Sequence, residues 1–277
     1  MNTPRDTVRP SASSADHALG RLLKEWRSRR GVSQFELALA ARTTQRHVSF
    51  IESGRTIPTR GMVLRLAATL GLPLRQQNAL LLAAGYAPAW RERGLSAPGM
   101  EVVDRALDHM LAQHEPFPGF VVDRRWNLLR VNRGATKLVE FLTGAAPVVP
   151  DAEPVNLAVA LMSREGLRPL IVNWEEVAAH FLRGVQNDAH MDGTLETMAL
   201  FRHLSALAEE PLPSEASPDE SSSPVLAIHF RRGDRSLRLF TTIATLGTPR
   251  DITTEEIRIE FFFPLDDAAE AICRQWQ

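Results

Sequence analysis

Along the first third of the chain, apolar residues recur at helical spacing in short runs separated by polar residues or glycine. Leu19, Leu22, Leu23 and Trp26 form one stripe, which predicts a helix over residues 17–30, capped by Asp16 and ended by Gly31. Leu37, Ala38 and Ala41 mark a second helix, and Val48 and Ile51 a third. Met62, Val63, Leu66 and Leu70 mark a fourth, and Leu74, Leu80, Leu81 and Leu82 a fifth. Five such helices close a small bundle over residues 16–85. Residues 86–99, with Pro and Gly spread among charged residues, read as a junction, with Tyr86 and Trp90 able to dock onto the bundle. A sixth helix follows over residues 100–114 and stops at Pro116-Phe117-Pro118.

Beyond Phe117 the apolar period shortens towards two. Residues 120–122 and 126–132 predict a hairpin, Asn132 caps a helix to Leu142, and further helices are expected over 156–163, 174–189 and 193–208. Residues 225–232, 235–246 and 256–263 alternate as three more strands, before a last helix over 266–275. Five strands mixed with helices predict an α+β domain, residues 100–277, on one antiparallel sheet. Two tracts have no apolar period. Residues 1–15, rich in Ser, Thr and Pro, are expected to be a disordered tail, and the acidic stretch 209–224 a flexible loop.

Residues 33–55 carry the densest local signals. Ser33 with Glu36 three positions on is a capping box, and Thr44 is placed to cap the next helix after the break Arg42-Thr43-Thr44. Gly54 stands where a helix end wants a left-handed residue. With Val48 and Ile51 inward, Gln45, Arg46, Ser49 and Phe50 are left facing outward. Gln and Arg near a helix N-terminus pair with adenine and guanine edges in the major groove, and an aromatic ring can meet a thymine methyl. The unit therefore reads as a helix-turn-helix that contacts double-stranded DNA, with Arg27, Arg29 and Arg30 near enough to reach the backbone.

Charge sharpens this. Residues 1–93 hold 15 Lys and Arg against 6 Asp and Glu, whereas residues 94–277 hold 17 against 27, so a total of −1 conceals a bipolar chain. A basic part suits phosphate; an acidic part is repelled by it. The lone Cys273 excludes an intramolecular disulfide, and no apolar run approaches the ~20 residues of a membrane span, so a cytoplasmic protein without membrane contact is expected. No HExxH, Gly-x-Ser-x-Gly, glycine-rich phosphate loop or paired metal-spaced cysteines occur, and His109 and His114 stand five apart, off one helical face. The expectation is a non-enzyme that needs no cofactor.

Residues 18–84 resemble the lambda-repressor-like helix-turn-helix of the xenobiotic-response-element regulators. The resemblance rests on Leu22, Arg27, Ser33-Gln34, Glu36-Leu37-Ala38, Thr43-Thr44-Gln45, Val48 and Ile51-Glu52-Ser53-Gly54-Arg55. It implies that Gln34 contacts phosphate and that Thr44, Gln45, Arg46 and Phe50 face the bases, with Thr43, Ser49 and Arg55 in the same interface. Arg42 occupies a turn position where many members carry Gly, which leaves the turn geometry open.

The second half resembles the ligand-binding domain of the methylenomycin-regulator-like (MmyB-like) transcription regulators, a fold related to PAS domains. The residues that carry it are Val122-Asp123-Arg124-Arg125-Trp126-Asn127, Gly166-Leu167-Arg168-Pro169, Val172-Asn173-Trp174, Thr245-Leu246-Gly247-Thr248-Pro249 and Glu260-Phe261-Phe262-Phe263-Pro264. This implies an apolar small-molecule site, with a fatty acid as the suggested ligand. Trp126, Leu129, Trp174, Phe181, Phe201, Phe230, Leu239 and Phe261 are the candidate lining, and Arg168 and Asn173 the candidate anchors for a carboxylate. A haem- or flavin-bearing sensor is the alternative reading, and an enzyme domain fused to a DNA-binding domain ranks below it. The docking mode of such helices further implies a homodimer on a pseudo-palindromic operator.

Overall fold

The computed structural model describes residues 12–144, 155–209 and 224–276. Most of the expected disordered tail, and all but the ends of the expected 209–224 loop, lie outside the described residues. The chain divides into two compact units, Met1–Glu92 with Arg250–Ile252, and Arg93–Pro249 with Thr253–Gln277.

The first unit is all-helical: α1 (Ala12–Arg29), α2 (Gln34–Ala40), α3 (Gln45–Glu52), α4 (Arg60–Thr69) and α5 (Leu74–Ala83). The helix start expected at Asp16 is corrected, because α1 begins at Ala12. The stripes meet as their spacing requires, with Leu23, Leu37, Ala41, Val48, Ile51, Leu66 and Leu81 buried in one core. Leu82, expected among them, is exposed, because it falls off the apolar arc of α5. Helices α1 and α3 approach closely at Gly20, where a β-carbon would meet the carbonyl oxygens of Glu52 and Ile51 at 2.5 and 2.6 Å. Part of the expected junction is bonded to this bundle: Tyr86 Oη donates to the Pro58 carbonyl (3.0 Å) and Trp90 Nε1 to Gln77 Oε1 (2.9 Å).

The second unit holds α6 (Glu101–Gln113), β1 (Gly119–Val122), β2 (Leu128–Val131), α7 (Arg133–Thr143), α8 (Leu157–Met162), α9 (Trp174–Asp192), α10 (Leu195–Ala208), β3 (Ala227–Arg232) and β4 (Arg235–Ala244). A short helix α11 (Ile252–Glu256), β5 (Arg258–Pro264) and α12 (Asp267–Arg274) complete the order. One antiparallel sheet runs β2-β1-β5-β4-β3. This is the α+β architecture expected from the strand pattern. Helix α11 was not legible in the sequence, and it delays the last strand to Arg258.

The register decides which residues can share a site. In the centre of the sheet β5 pairs with β1 through Phe120↔Glu260 and with β4 through Thr241↔Phe262 and Ile243↔Glu260. Both faces of β5 are covered. Ile257, Ile259 and Phe261 pack with Leu107 and Leu111 of α6, whereas Phe262 packs with Phe120, Phe230 and Leu239 on the opposite face. Arg258 and Glu260, alternating with Phe262, therefore point to that second face.

Candidate DNA-reading helix and ligand cavity

Local hydrogen bonds set the frame of α2 and α3. Ser33 Oγ accepts from Glu36 N (3.2 Å) and Glu36 Oε2 accepts from Ser33 N (2.7 Å), the reciprocal pair of a capping box, which also holds the Glu36 carboxyl below the usual range. Thr44 Oγ1 accepts from His47 N (3.1 Å) and starts α3. Gly54, at φ 71°, ends it, with Arg55 N donating to the Phe50 carbonyl (2.8 Å). The turn that the resemblance left open takes a left-handed residue at Arg42, φ 53°, which costs a side-chain-bearing residue ~1–2 kcal/mol relative to an unstrained conformation.

With Val48 and Ile51 buried, the N-terminal end of α3 presents Thr44, Gln45 and Arg46 to solvent, and Ser49 and Phe50 half-buried beside them. Two guanidiniums flank the Phe50 ring, Arg46 at 5.1 Å and Arg55 at 5.7 Å from its centroid. Such contacts are worth about 0.5–1 kcal/mol at exposed sites and hold both arginines near one surface. Thr43 is turned towards its own helix, with Oγ1 2.9 Å from His47 Nδ1.

Under this surface lies a polar anchor that sequence spacing did not reveal. Glu52 accepts from Arg27 Nε (2.6 Å), from Arg27 Nη2 (3.0 Å) and from Gln34 Nε2 (2.8 Å), so one carboxylate ties α1, α2 and α3 together. Arg27 also donates to the Val32 carbonyl (2.8 Å), and the bond to Glu52 is the main cause that raises its already high pKa. Gln34, expected at a phosphate, is placed in this anchor. Arg27, expected near the backbone, is largely buried in it.

The second unit holds a cavity of about 670 Å³, partly open to solvent, between the helices and the second face of the sheet. Of the expected lining residues, Trp126, Phe181 and Phe230 are on its wall, and the Trp126 and Phe181 rings meet edge-to-face at 4.7 Å. Leu138, Leu142, Leu157, Leu161, Ile228, Ile243 and Phe262 supply most of the rest. Their helical members belong to segments whose apolar residues read equally well as core.

The other expected residues are not on the wall. Phe261 alternates onto the α6 face, with its ring 4.6 Å from that of His114, and Leu129, on β2, is exposed. Leu239 is wholly buried, and Trp174 and Phe201 are packed into neighbouring core. Arg168 lies 4.7 Å over the Trp174 ring and donates from Nη1 to the Leu207 carbonyl (2.8 Å). Asn173 bonds β3, donating to the Ala227 carbonyl (2.7 Å) and accepting from His229 N (3.0 Å). Both proposed carboxylate anchors are thus occupied by backbone groups.

The polar part of the wall comes instead from residues that were not among the expected lining or anchors: His180, Asp188, Thr241, Arg258 and Glu260. Arg258 Nη1 pairs with Asp188 Oδ2 at 2.5 Å, and its guanidinium lies 5.8 Å from the Trp126 ring. Glu260 is 8% exposed, and burial pushes its carboxyl up to about 7 against the opposing pull of Arg258. Trp126 Nε1 is buried without a hydrogen-bond partner. The alternation Arg258, Glu260, Phe262 becomes a signal only once β5 is seen to be the central strand. On a strand covered on both faces Glu260 is buried and Arg258 half-buried.

Among the described residues no group of three or more His, Cys, Asp or Glu is placed to hold a metal ion, and no helix is long and apolar enough to cross a membrane. Two family models match the chain: the MmyB-like transcription regulator ligand binding domain over residues 103–275, and a helix-turn-helix domain over residues 18–80. No curated protein matches. Among solved structures, two of the clp gene regulator ClgR from Corynebacterium glutamicum are similar. One is 27% identical over 28% of this chain and 92% of that one, at a TM-score of 0.24. The other is 22% identical over 37% and 95%, at 0.23. An RNA-binding Light-Oxygen-Voltage receptor aligns at 10% identity over 97% of this chain and 67% of that one, at 0.29.

Proposed function

The chain belongs to the transcription regulators with an MmyB-like ligand-binding domain, and from that premise we propose a cytoplasmic homodimer that reads an operator with α3 and responds to an apolar small molecule. A DNA-binding regulator with a ligand-binding domain is what the two matched families together describe. The observation that carries the finer reading is the exposed Gln45-Arg46 pair at the capped N-terminus of α3, braced by Phe50 and Arg55. Gln45 and Arg46 are the base readers; Thr44, Ser49 and Arg55 position the helix against phosphates. Gln34 takes part through the anchor to Glu52, and Thr43 by holding His47.

The cavity supports an apolar ligand, because its wall is mostly aliphatic and aromatic and its volume falls within the usual range for small-molecule sites, about 300–1,000 Å³. A ligand changes operator affinity only by as much as its own affinity differs between the two states of the dimer. Selection from a random duplex pool with the purified chain tests the first part, since a homodimer enriches two half-sites about 10 base pairs apart. Extraction of the same protein, followed by mass spectrometry, tests the second. No enrichment sinks the operator reading; nothing extracted, and unchanged operator binding when Ile228→Trp fills the cavity, sinks the ligand reading.

A further inference from the structure

One polar residue on the cavity wall says more about the head of its ligand than about its tail. Glu260 sits on the central strand, opposite Phe120 on one neighbour and Ile243 on the other, with an apolar ring or chain on each side. Its carboxyl has no hydrogen-bond partner among the described residues, although it is more than nine-tenths buried and lines the cavity. The nearby cation, Arg258, is already paired with Asp188. Trp126, whose Nε1 is buried without a hydrogen-bond partner among the described residues, contributes its ring to the same wall. A carboxyl held among apolar groups with no donor from the protein is suited to a ligand that brings one, since a polar group left unpaired in such surroundings costs about 1–3 kcal/mol.

We infer that this cavity takes an apolar amphiphile whose head group donates N–H to Glu260, an amine or an amide, and not a carboxylate. The inference rests on the cavity being the ligand site. Among the described residues Glu260, Asp188, Arg258 and His180 are the charged or titratable side chains on the wall, and the two carboxylates outnumber the one guanidinium once Glu260 ionises. A fatty acid would place a second carboxylate beside Glu260, with the Arg258 guanidinium already paired with Asp188. An ammonium would be drawn to Glu260 and to the aromatic wall of Trp126 and Phe181. An amide would donate its N–H to Glu260.

Decylamine, decanamide and decanoic acid differ only in the head and are the probes. Titrated calorimetrically into the full chain at pH 8, both nitrogen heads are expected to bind at least tenfold tighter than the acid. Glu260→Gln keeps the size of the side chain and removes its charge, so it should cut decylamine affinity at least tenfold and leave the acid unchanged or tighter. As a second measurement on unaltered protein, the amine-to-acid preference should shrink as pH falls from 8 to 5. If all three bind and decanoic acid is as tight as the amine and amide, or if Glu260→Gln leaves the preference intact, this inference is overturned while the ligand-site reading stands. If none binds, and Ile228→Trp leaves the protein's behaviour unchanged, the ligand-site reading fails and takes this inference with it.

Discussion

Removing the Glu52 carboxylate is the perturbation that the first unit should tolerate least. Its side chain is 4% exposed and that of Arg27 13%, and three hydrogen bonds converge on it from α1 and α2. Glu52→Ala leaves a buried guanidinium without its counter-charge, a loss of ~3–5 kcal/mol for such a pair. Arg27 keeps its bond to the Val32 carbonyl, and Gln34 is partly solvated, so the lower end, about 3 kcal/mol, is expected. Hydrogen exchange of α1–α3 amides in the full chain reads this directly, because opening free energy sets protection. At about 1.4 kcal/mol per tenfold, protection should fall more than a hundredfold. The paired replacement Arg27→Met with Glu52→Met should cost much less than Glu52→Ala, since apolar side chains can replace a buried ion pair at little or no net cost. A Glu52→Ala loss under 1 kcal/mol, or a double variant as damaged as the single one, would refute the assignment of this pair as the anchor of the reading helix.

Three further outcomes follow from single contacts. Gly20→Ala should destabilise the helical unit by ~1–3 kcal/mol, seen as a lower denaturation midpoint, because its methyl meets two carbonyl oxygens of α3 and neither backbone can withdraw cheaply. Glu260 has a folded value raised from 4.5 to about 7, so the folded state binds more protons than the unfolded one between those values. Stability is therefore fully retained below pH 4.5 and is lost as pH rises through 7, by ~3 kcal/mol. Glu260→Gln should match the wild type near pH 4 and exceed it at pH 8 in urea titrations; equal stability at both would count against a buried, unpartnered carboxyl. Arg55→Ala should weaken binding to all duplexes alike and lower the salt slope by about one unit, measured by titration at several salt concentrations.

The helical unit was almost wholly legible because its signals are local. Ser33 with Glu36, Thr44 and Gly54 each act within one turn of the chain, and α2 and α3 begin and end where those residues say. What the pattern hid was Glu52, since a carboxylate at a helix end reads as solvated until the fold brings Arg27 and Gln34, 25 and 18 residues away, onto it. In the second unit the strands were legible from alternation, but the face was not. Phe261 and Phe262 are adjacent aromatics, and only the position of β5 in mid-sheet, with α6 behind it, decides that Phe262 meets the cavity. Arg168 and Asn173 looked like ligand anchors because their partners are backbone carbonyls and an amide, which no sequence displays.

Base reading by α3 is tested most directly at Arg46, with the duplex selected by the protein and a scrambled one of equal length. Arg46→Ala should weaken binding to the selected duplex by ~1–3 kcal/mol, relax the preference at one base position, and leave the scrambled duplex within the loss of a single phosphate contact. Equal losses on both duplexes at every salt concentration would contradict it, and would reduce Arg46 to one more positive charge on a basic surface.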